Sequence, residues 1–387
     1  MPNSGFQNFD RFAWARSLHT TMPKLLREVE DAAKKNYQVM ALLESAGRIS
    51  TNHGGEGIQW PVRYKMHRAV GATGENARSF TPSANFKHAA IDYRGYEVTD
   101  SIKRREMEKN KGDAAVIKVL DNFAERLKES LIHELGPQFF IDGNDPENER
   151  FWHGFKTLSR TAGQTIKADG SGTQDATGGV NADKAFAPSD SYANLSCVLG
   201  NYGGSQHDSS LPWPEGTQDS QYDFWTPLIV QRDSTAFSGS GGAQFEKALR
   251  YGITHATRNS TIDGQITNVF MDRSLLIDLK DHNDGRQTIE VKQSPDSLIS
   301  LGFRNVFRFD GIELSAENSV PAGYAFGINL ACMELLSLTP NLFEDEGGPQ
   351  YDINTQSMNA VVSTLSNIKY KSPRNFVVWK PNSEHTS

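Results

Sequence analysis

Hydrophobic positions along the chain change period several times, and each change marks an element. Between residues 11 and 46 the spacing is helical. Leu25, Leu26, Val29, Ala32 and Ala33 fall on one stripe, and Tyr37, Met40 and Leu43 continue it. Pro23 predicts a break near its own position, and Gly47 stops the pattern. From Ile58 the period drops to two: Ile58, Trp60, Val62, Tyr64 and Met66 share one face, and Gln59, Arg63, Lys65 and His67 share the other. That is a strand, aromatic on one side and basic on the other. The stretch "VGATGENARSFTPSAN" separates it from a second run, "FKHAAIDYRGYEVT", so residues 56–99 predict a long hairpin with a loose tip. Such a ribbon is either the half-buried edge of a domain core or an arm meant to lie on something else.

The strongest helical signal follows, in "DAAVIKVLDNFAERLKESLIHELGP". Val116, Leu120, Phe123, Leu127, Leu131 and Leu135 recur at spacings of three and four, while Lys118, Asn122, Glu125 and Glu129 take the opposite face. Asp113 predicts an N-cap and Gly136–Pro137 a stop, giving a helix over 113–135. From about 160 to 242 the composition shifts to Gly, Ser, Asp and Thr, as surface elaboration or a functional flap. Trp213, Tyr222, Phe224 and Trp225 within it predict that parts of it pack. A helix–strand–helix pattern comes next, in "AQFEKALRYGITHATRN", "ITNVFMD" and "RSLLIDLKDHND". Two short alternating runs around Asp310–Gly311 predict a hairpin, and "VPAGYAFGINL" predicts a strand. The C-terminal "MNAVVSTLSNIKYKSPRNFVVW" is strand-rich, with a break at Ser372–Pro373.

Composition narrows the function classes. The 387 residues suit two or three domains or one elaborate one, long enough to bury a real core. A formal charge of −7 argues against a protein whose main task is neutralising nucleic-acid phosphate, though a local basic patch stays open. Cys197 and Cys332 cannot build a disulfide scaffold, so a reducing compartment is the expectation, with a single bridge between them left open. "MPNSGFQNFDRFAWARS" lacks the apolar core of a signal peptide, and no run reaches the roughly 18 apolar residues of a membrane span. The expectation is a soluble protein made in a cytoplasm.

The search for chemistry comes back empty. There is no GxxxxGK[ST], no GxSxG and no HExxH. "GSGG" at 239–242 lacks the preceding strand and third glycine of a dinucleotide turn. In "KDHNDGRQTIEV", aligning Gly285 with the obligatory glycine of a calcium loop puts Lys280 and Val291 where acidic oxygens belong. His53, His67 and His88 show no ligand spacing, the acidic "EDE" at 344–346 reads as a solvated turn, and "KRREMEKNK" at 103–111 reads as a solvated basic stretch. No catalytic, metal or cofactor-binding set is expected.

The order of these elements resembles the major capsid proteins of tailed double-stranded DNA phages, with the Hong Kong 97-like fold. Four stretches carry the likeness: the arm ending "ALLESAGRISTNHGGEGIQWPVRY"; the hairpin of 56–99 followed at once by one long helix; the helix–strand–helix of 243–282 leading to "GFRNVFRFDGIELSAENSVPAGYAFGINL"; and the closing "VVSTLSNIKYKSPRNFVVW". The resemblance implies an α+β fold with an N-terminal arm (1–55), an extended E-loop (56–99), a peripheral domain (100–150) with the spine helix 113–135, an axial domain (151–335) carrying the loop-rich insertion 160–242, peripheral-domain strands (336–372) and a C-terminal segment (373–387) returning to the axial domain.

It further implies a non-enzymatic subunit that assembles as pentamers and hexamers into an icosahedral head around phage DNA, with no cofactor. In such shells the extended loop lies across neighbouring subunits. Trp60, Tyr64 and Met66 would pack on a neighbour while Arg63, Lys65 and Arg68 meet carboxylates. Lys65 and Lys87 are the lysines available should the loop crosslink. Implied partners are scaffolding and portal proteins, nonspecifically packaged DNA and a decoration protein, without a membrane, in a virion assembled in the host cytoplasm. Two other readings stay open: an encapsulin-like cellular compartment, which shares the fold, and a ligand-binding protein or enzyme with a site in 160–242.

Overall fold

A computed structural model of the chain describes residues 11–63, 86–109, 113–158, 191–196, 227–233, 239–256, 265–283, 306–345 and 350–381, with Trp225, Phe237, Leu298, Leu301, Phe303, Gly347 and Gly348. Helix α1 (Arg11–Asn36) runs unbroken through position 23. Met22, Leu25, Leu26, Val29 and Ala33 are all buried, so the packed stripe on both sides of Pro23 holds the helix together despite the lost hydrogen bond. The expected break comes later, at Tyr37, which is extended at φ −106°, ψ 124°. Helix α2 (Gln38–Ser45) buries Val39 through Leu43 and closes on Gly47 (φ +64°). There the Arg48 N–H reaches Leu43 O and the Gly47 N–H reaches Glu44 O, the paired bonds of a Schellman stop.

After β1 (Ile49–Ser50) comes the predicted ribbon. Strands β2 (Ile58–Arg63) and β3 (Phe86–Ile91) pair antiparallel, Ile58 opposite Ile91 and Arg63 opposite Phe86. Ile58, Trp60 and Val62 are buried while Gln59 and Pro61 are exposed, as the two-residue period requires. The described hairpin is shorter than 56–99. Arg94 and Ser366 exchange backbone hydrogen bonds, and this contact turns the chain away, so that β4 (Glu97–Lys103) joins a different sheet.

A short α3 (Arg104–Lys109) leads to α4 (Asp113–Gln138), 26 residues and about 39 Å long. Phe123, Leu127, Leu131 and Leu135 are buried; the side chains of Val116 and Leu120 lie outside the described set. The helix passes the expected stop and ends at Gln138, since Pro137 lacks only the N–H of its last turn. Gly136 serves another purpose: a Cβ there would lie 2.5 Å from both the Tyr37 ring and Ser319 Oγ. It lets the corner between α1 and α2 press against the end of α4.

The rest is mostly sheet. A small hairpin, β5 (Ser191–Tyr192) and β6 (Leu195–Ser196), and strand β7 (Leu228–Gln231) come from the loop-rich stretch. Helix α5 (Gly242–Ala256), β8 (Asn268–Met271) and α6 (Arg273–Asn283) follow as predicted. Strands β9 (Val306–Phe309) and β10 (Ile312–Ala316) form the expected hairpin, with Asp310 and Gly311 both at positive φ, the geometry of a two-residue I′ turn. Then come β11 (Ala325–Ile328), β12 (Met333–Ser337), β13 (Glu344–Asp345), β14 (Gln350–Asp352), β15 (Ser357–Ser363), β16 (Ser366–Tyr370) and, after the break at Pro373, β17 (Val377–Lys380).

Among the described residues the largest sheet has the order β7–β17–β11–β8–β10–β9. Its C-terminal strand β17 is inserted next to the edge strand, parallel to β7 and antiparallel to β11. There Trp379 is fully buried, and its indole N–H donates to Ala248 O of α5 at 2.8 Å. Sheets β1–β12–β16 and β13–β15–β14, with β4 on β15, stand apart from it. Two cores result. One unites α1, α2, the hairpin, α4 and these smaller sheets; the other lies between the largest sheet and helices α5 and α6.

In an open helix a Gly→Ala change helps by up to about 1 kcal/mol. Gly136→Ala should instead destabilise the subunit by roughly 1–3 kcal/mol through overpacking on Tyr37, measured as a lowered denaturant midpoint with an unchanged slope.

Candidate assembly interface

Among the described residues, no three or more His, Cys, Asp or Glu side chains gather as metal ligands, and no helix is long and apolar enough to cross a membrane. Cys332 is buried, and its sulfur accepts from Asn375 Nδ2. The geometry that stands out is the root of the β2–β3 hairpin.

Trp60 is 6% exposed and packs against its own chain, which corrects the expectation that it lies on a neighbour. Its ring centroid is 6.2 Å from Tyr192 and 6.4 Å from Trp225, and those two stack on each other at 6.1 Å. All three are large apolar surfaces, and burying them together outweighs keeping one for a partner. The Lys369 ammonium lies 5.5 Å above the Trp60 ring and is held by Glu334 at 2.9 Å. Burial works against ionisation of Glu334, yet Lys369 and Arg48 outweigh it and keep its carboxyl below the ordinary range.

Hydrogen bonds fasten the same spot. Ala90 of β3 donates its N–H to Ala193 O, tying hairpin to insertion. The Tyr192 hydroxyl donates to Ile368 O at 3.0 Å and accepts the Tyr370 N–H at 2.9 Å. Tyr370 in turn donates to His153 O. Asn367 Oδ1 accepts the N–H groups of His153 and Ile368, which leaves its Nδ2 to donate to Asp92 O at 2.7 Å and to His153 Nδ1 at 2.9 Å. His153 is therefore a neutral imidazole accepting at Nδ1. Burial, and then the nearby Arg94 charge, push its pKa down to about 4.

The other expected contact residues divide. Arg63 closes β2, its side chain outside the described set; Tyr64, Lys65, Met66 and Arg68 lie outside it altogether. Lys87 is half-buried in β3, opposite Val62. Phe86, one position further out, is 60% exposed and was not anticipated. Tyr192, His153 and Asn367 were also missed, because the hydrogen bonds that tie each of them to another element reach partners 176 or more residues away. Trp225 alone carried a signal, as an aromatic in a polar stretch, and it is fully buried.

No protein-family profile and no curated protein matches the chain. Solved structures do. A chain of the cyanophage A-1(L) capsid asymmetric unit matches with a TM-score of 0.52 at 14% identity, covering 90% of this chain and 93% of that one. The fold is the Hong Kong 97-like capsid fold. The capsid of an empty GTA particle (TM-score 0.49, 10% identity, 88% and 90% covered) and that of Myoviridae phage XM1 (0.48, 9%, 88% and 92%) are also similar; the assignment rests on the cyanophage chain. In the capsid fold of this chain, the aromatic contact at the hairpin root sets the direction in which the ribbon leaves the body.

Tyr192→Phe should cost roughly 1–3 kcal/mol, because the Tyr370 N–H loses its buried acceptor; chemical denaturation followed by tryptophan fluorescence reads it. His153 carries its pH effect with a definite sign. Its folded pKa lies below its unfolded value, so the stability it confers is present above pH 6.5 and is lost as pH falls towards about 4. His153→Gln should flatten the stability–pH curve across that window, tested by thermal unfolding at a series of pH values.

Proposed function

We propose that this chain is a major capsid subunit that self-assembles as pentamers and hexamers into the icosahedral head enclosing a phage double-stranded DNA genome. The observation that carries the reading is the match to a capsid chain across nine-tenths of both chains. The hairpin adds to it: its root is packed into the core, and the outer end of its described part presents Phe86 to solvent, as a ribbon reaching a neighbour would.

In this reading residues 1–55 are the arm and 56–99 the E-loop. Residues 100–150 and 336–372 form the peripheral domain, and 151–335 with 373–387 the axial domain. The loop's outer residues, Arg63, Tyr64, Lys65, Met66, Arg68 and Lys87, contact the next subunit, while Trp60 anchors the loop at home. Many modest contacts repeated by symmetry sum to a stable shell. The role is structural, not catalytic. With a net charge of −7, contact with packaged DNA is weak and nonspecific. Scaffolding, portal and decoration proteins are the partners of assembly, which takes place in the host cytoplasm and ends in the virion.

Light scattering and negative-stain microscopy of the expressed protein test this. Pentamer and hexamer rings or closed shells are expected, alone or with the other head proteins. A 42.9 kDa monomer persisting across salt and crowding, and in the presence of those proteins, would overturn the reading. Phe86→Asp should lower shell yield at least tenfold while leaving subunit stability within about 0.5 kcal/mol, as befits an exposed site, compared by sedimentation and denaturation.

A further inference from the structure

One buried acid takes no part in the hairpin root. Glu317 follows β10 and is 7% exposed. Its carboxyl faces the backbone N–H groups of Gln38 and Val39, the first two residues of α2. Tyr37, the N-cap of that helix, supplies no side-chain cap, and the acid at the open end of the helix comes from nearly 280 positions away. A second bond doubles the attachment: Gln38 Nε2 donates to Ala316 O at 3.2 Å. The sharp corner between α1 and α2 is thus tied to the end of β10 by side chains of both elements.

The tie is incomplete in a telling way. Glu317 Oε2 and Gln38 Oε1 are both buried and both lack a hydrogen-bond donor. Two unmatched acceptors at one contact are costly. A proton on the carboxyl turns one of them into a donor. The groups around it are Tyr37 at the corner, His133 and Glu134 near the end of α4, and Arg273 at the start of α6. Tyr37, His133 and Arg273 line the same cleft as Glu317, and the charges of Glu317 and Glu134, after burial, push the Tyr37 hydroxyl up.

We propose that Glu317 is a proton-held latch: as a neutral acid it fastens the α1–α2 corner to the body of the subunit, and its ionisation loosens the arm there. Burial outweighs the two amide bonds and raises the carboxyl from 4.5 to about 8. The sign follows. The folded value exceeds the unfolded one, so the latch contributes fully below pH 4.5, and its contribution is lost as pH rises to about 8. The inference concerns the single subunit and stands whether or not the chain forms shells.

The test compares the full chain with Glu317→Gln, which keeps an acceptor for α2 and supplies a permanent donor. The variant-to-wild-type ratio of folding constants should climb by up to tenfold per pH unit between about 4.5 and about 8, then level off. Amide exchange at Gln38–Leu43 should quicken above pH 8 in the wild type and not in the variant, after correction for intrinsic rates. Parallel pH curves for the two proteins would overturn the latch. Should the variant fail to fold, infrared spectroscopy of the wild type decides. A protonated-carboxyl band persisting at pH 7 and gone by pH 9 supports the latch, and its absence at pH 7 overturns it.

Discussion

Three rings from three distant stretches of chain, Trp60, Tyr192 and Trp225, meet within about 6.4 Å of one another, and the arrangement of the hairpin depends on that contact. Its own ladder, this buried face and the Ala90–Ala193 hydrogen bond fix the direction of the β2–β3 ribbon, and a two-stranded hairpin is marginal alone in water. The aromatic contact supplies the missing apolar partner. It also recruits part of the loop-rich stretch into the core, so that a segment without regular periodicity gains a structural purpose. Hydrogen bonds from Tyr192 to β16 then make hairpin, insertion and sheet one body.

Two buried titratable groups act with opposite sign as pH changes. His153, kept neutral within the Asn367 network, withdraws its contribution as pH falls; Glu317, kept neutral at the α1–α2 corner, withdraws its contribution as pH rises. Between about 4.5 and 6.5 the two trends oppose each other. Both groups sit where separate elements are joined, His153 beneath the hairpin root and Glu317 at the α1–α2 corner. Both are neutral for the same reason, that burial disfavours the charged form.

The chain divides its apolar residues between a packed root and an exposed outer position of the hairpin. Ile58, Trp60 and Val62 hold the root, and Phe86 is left for whatever lies beyond it. The interleaving of β17 between β7 and β11 serves the body in another way, because closing the largest sheet requires both ends of the chain's second half. That sheet is complete only when the last strand arrives.

Local patterns were read well wherever the energetics are local. The helix from Asp113, the helix–strand–helix of α5, β8 and α6, and the Asp310–Gly311 hairpin all follow from periodicity and turn chemistry within a few residues. The expected break at Pro23 moved to Tyr37 because packing of Met22, Leu25 and Leu26 outweighed backbone preference, and the helix expected to stop at Leu135 runs on to Gln138. Trp60 is the instructive failure. Alternation told that it shares a face with Ile58 and Val62, but not what covers that face. By itself the sequence determined the periods, the turns, the acidic balance and the order of elements. Only the tertiary structure decided which surfaces meet, which acid is buried and which aromatic stays exposed, because those outcomes are set by contacts between residues far apart in the chain, whose cost and gain no local window contains.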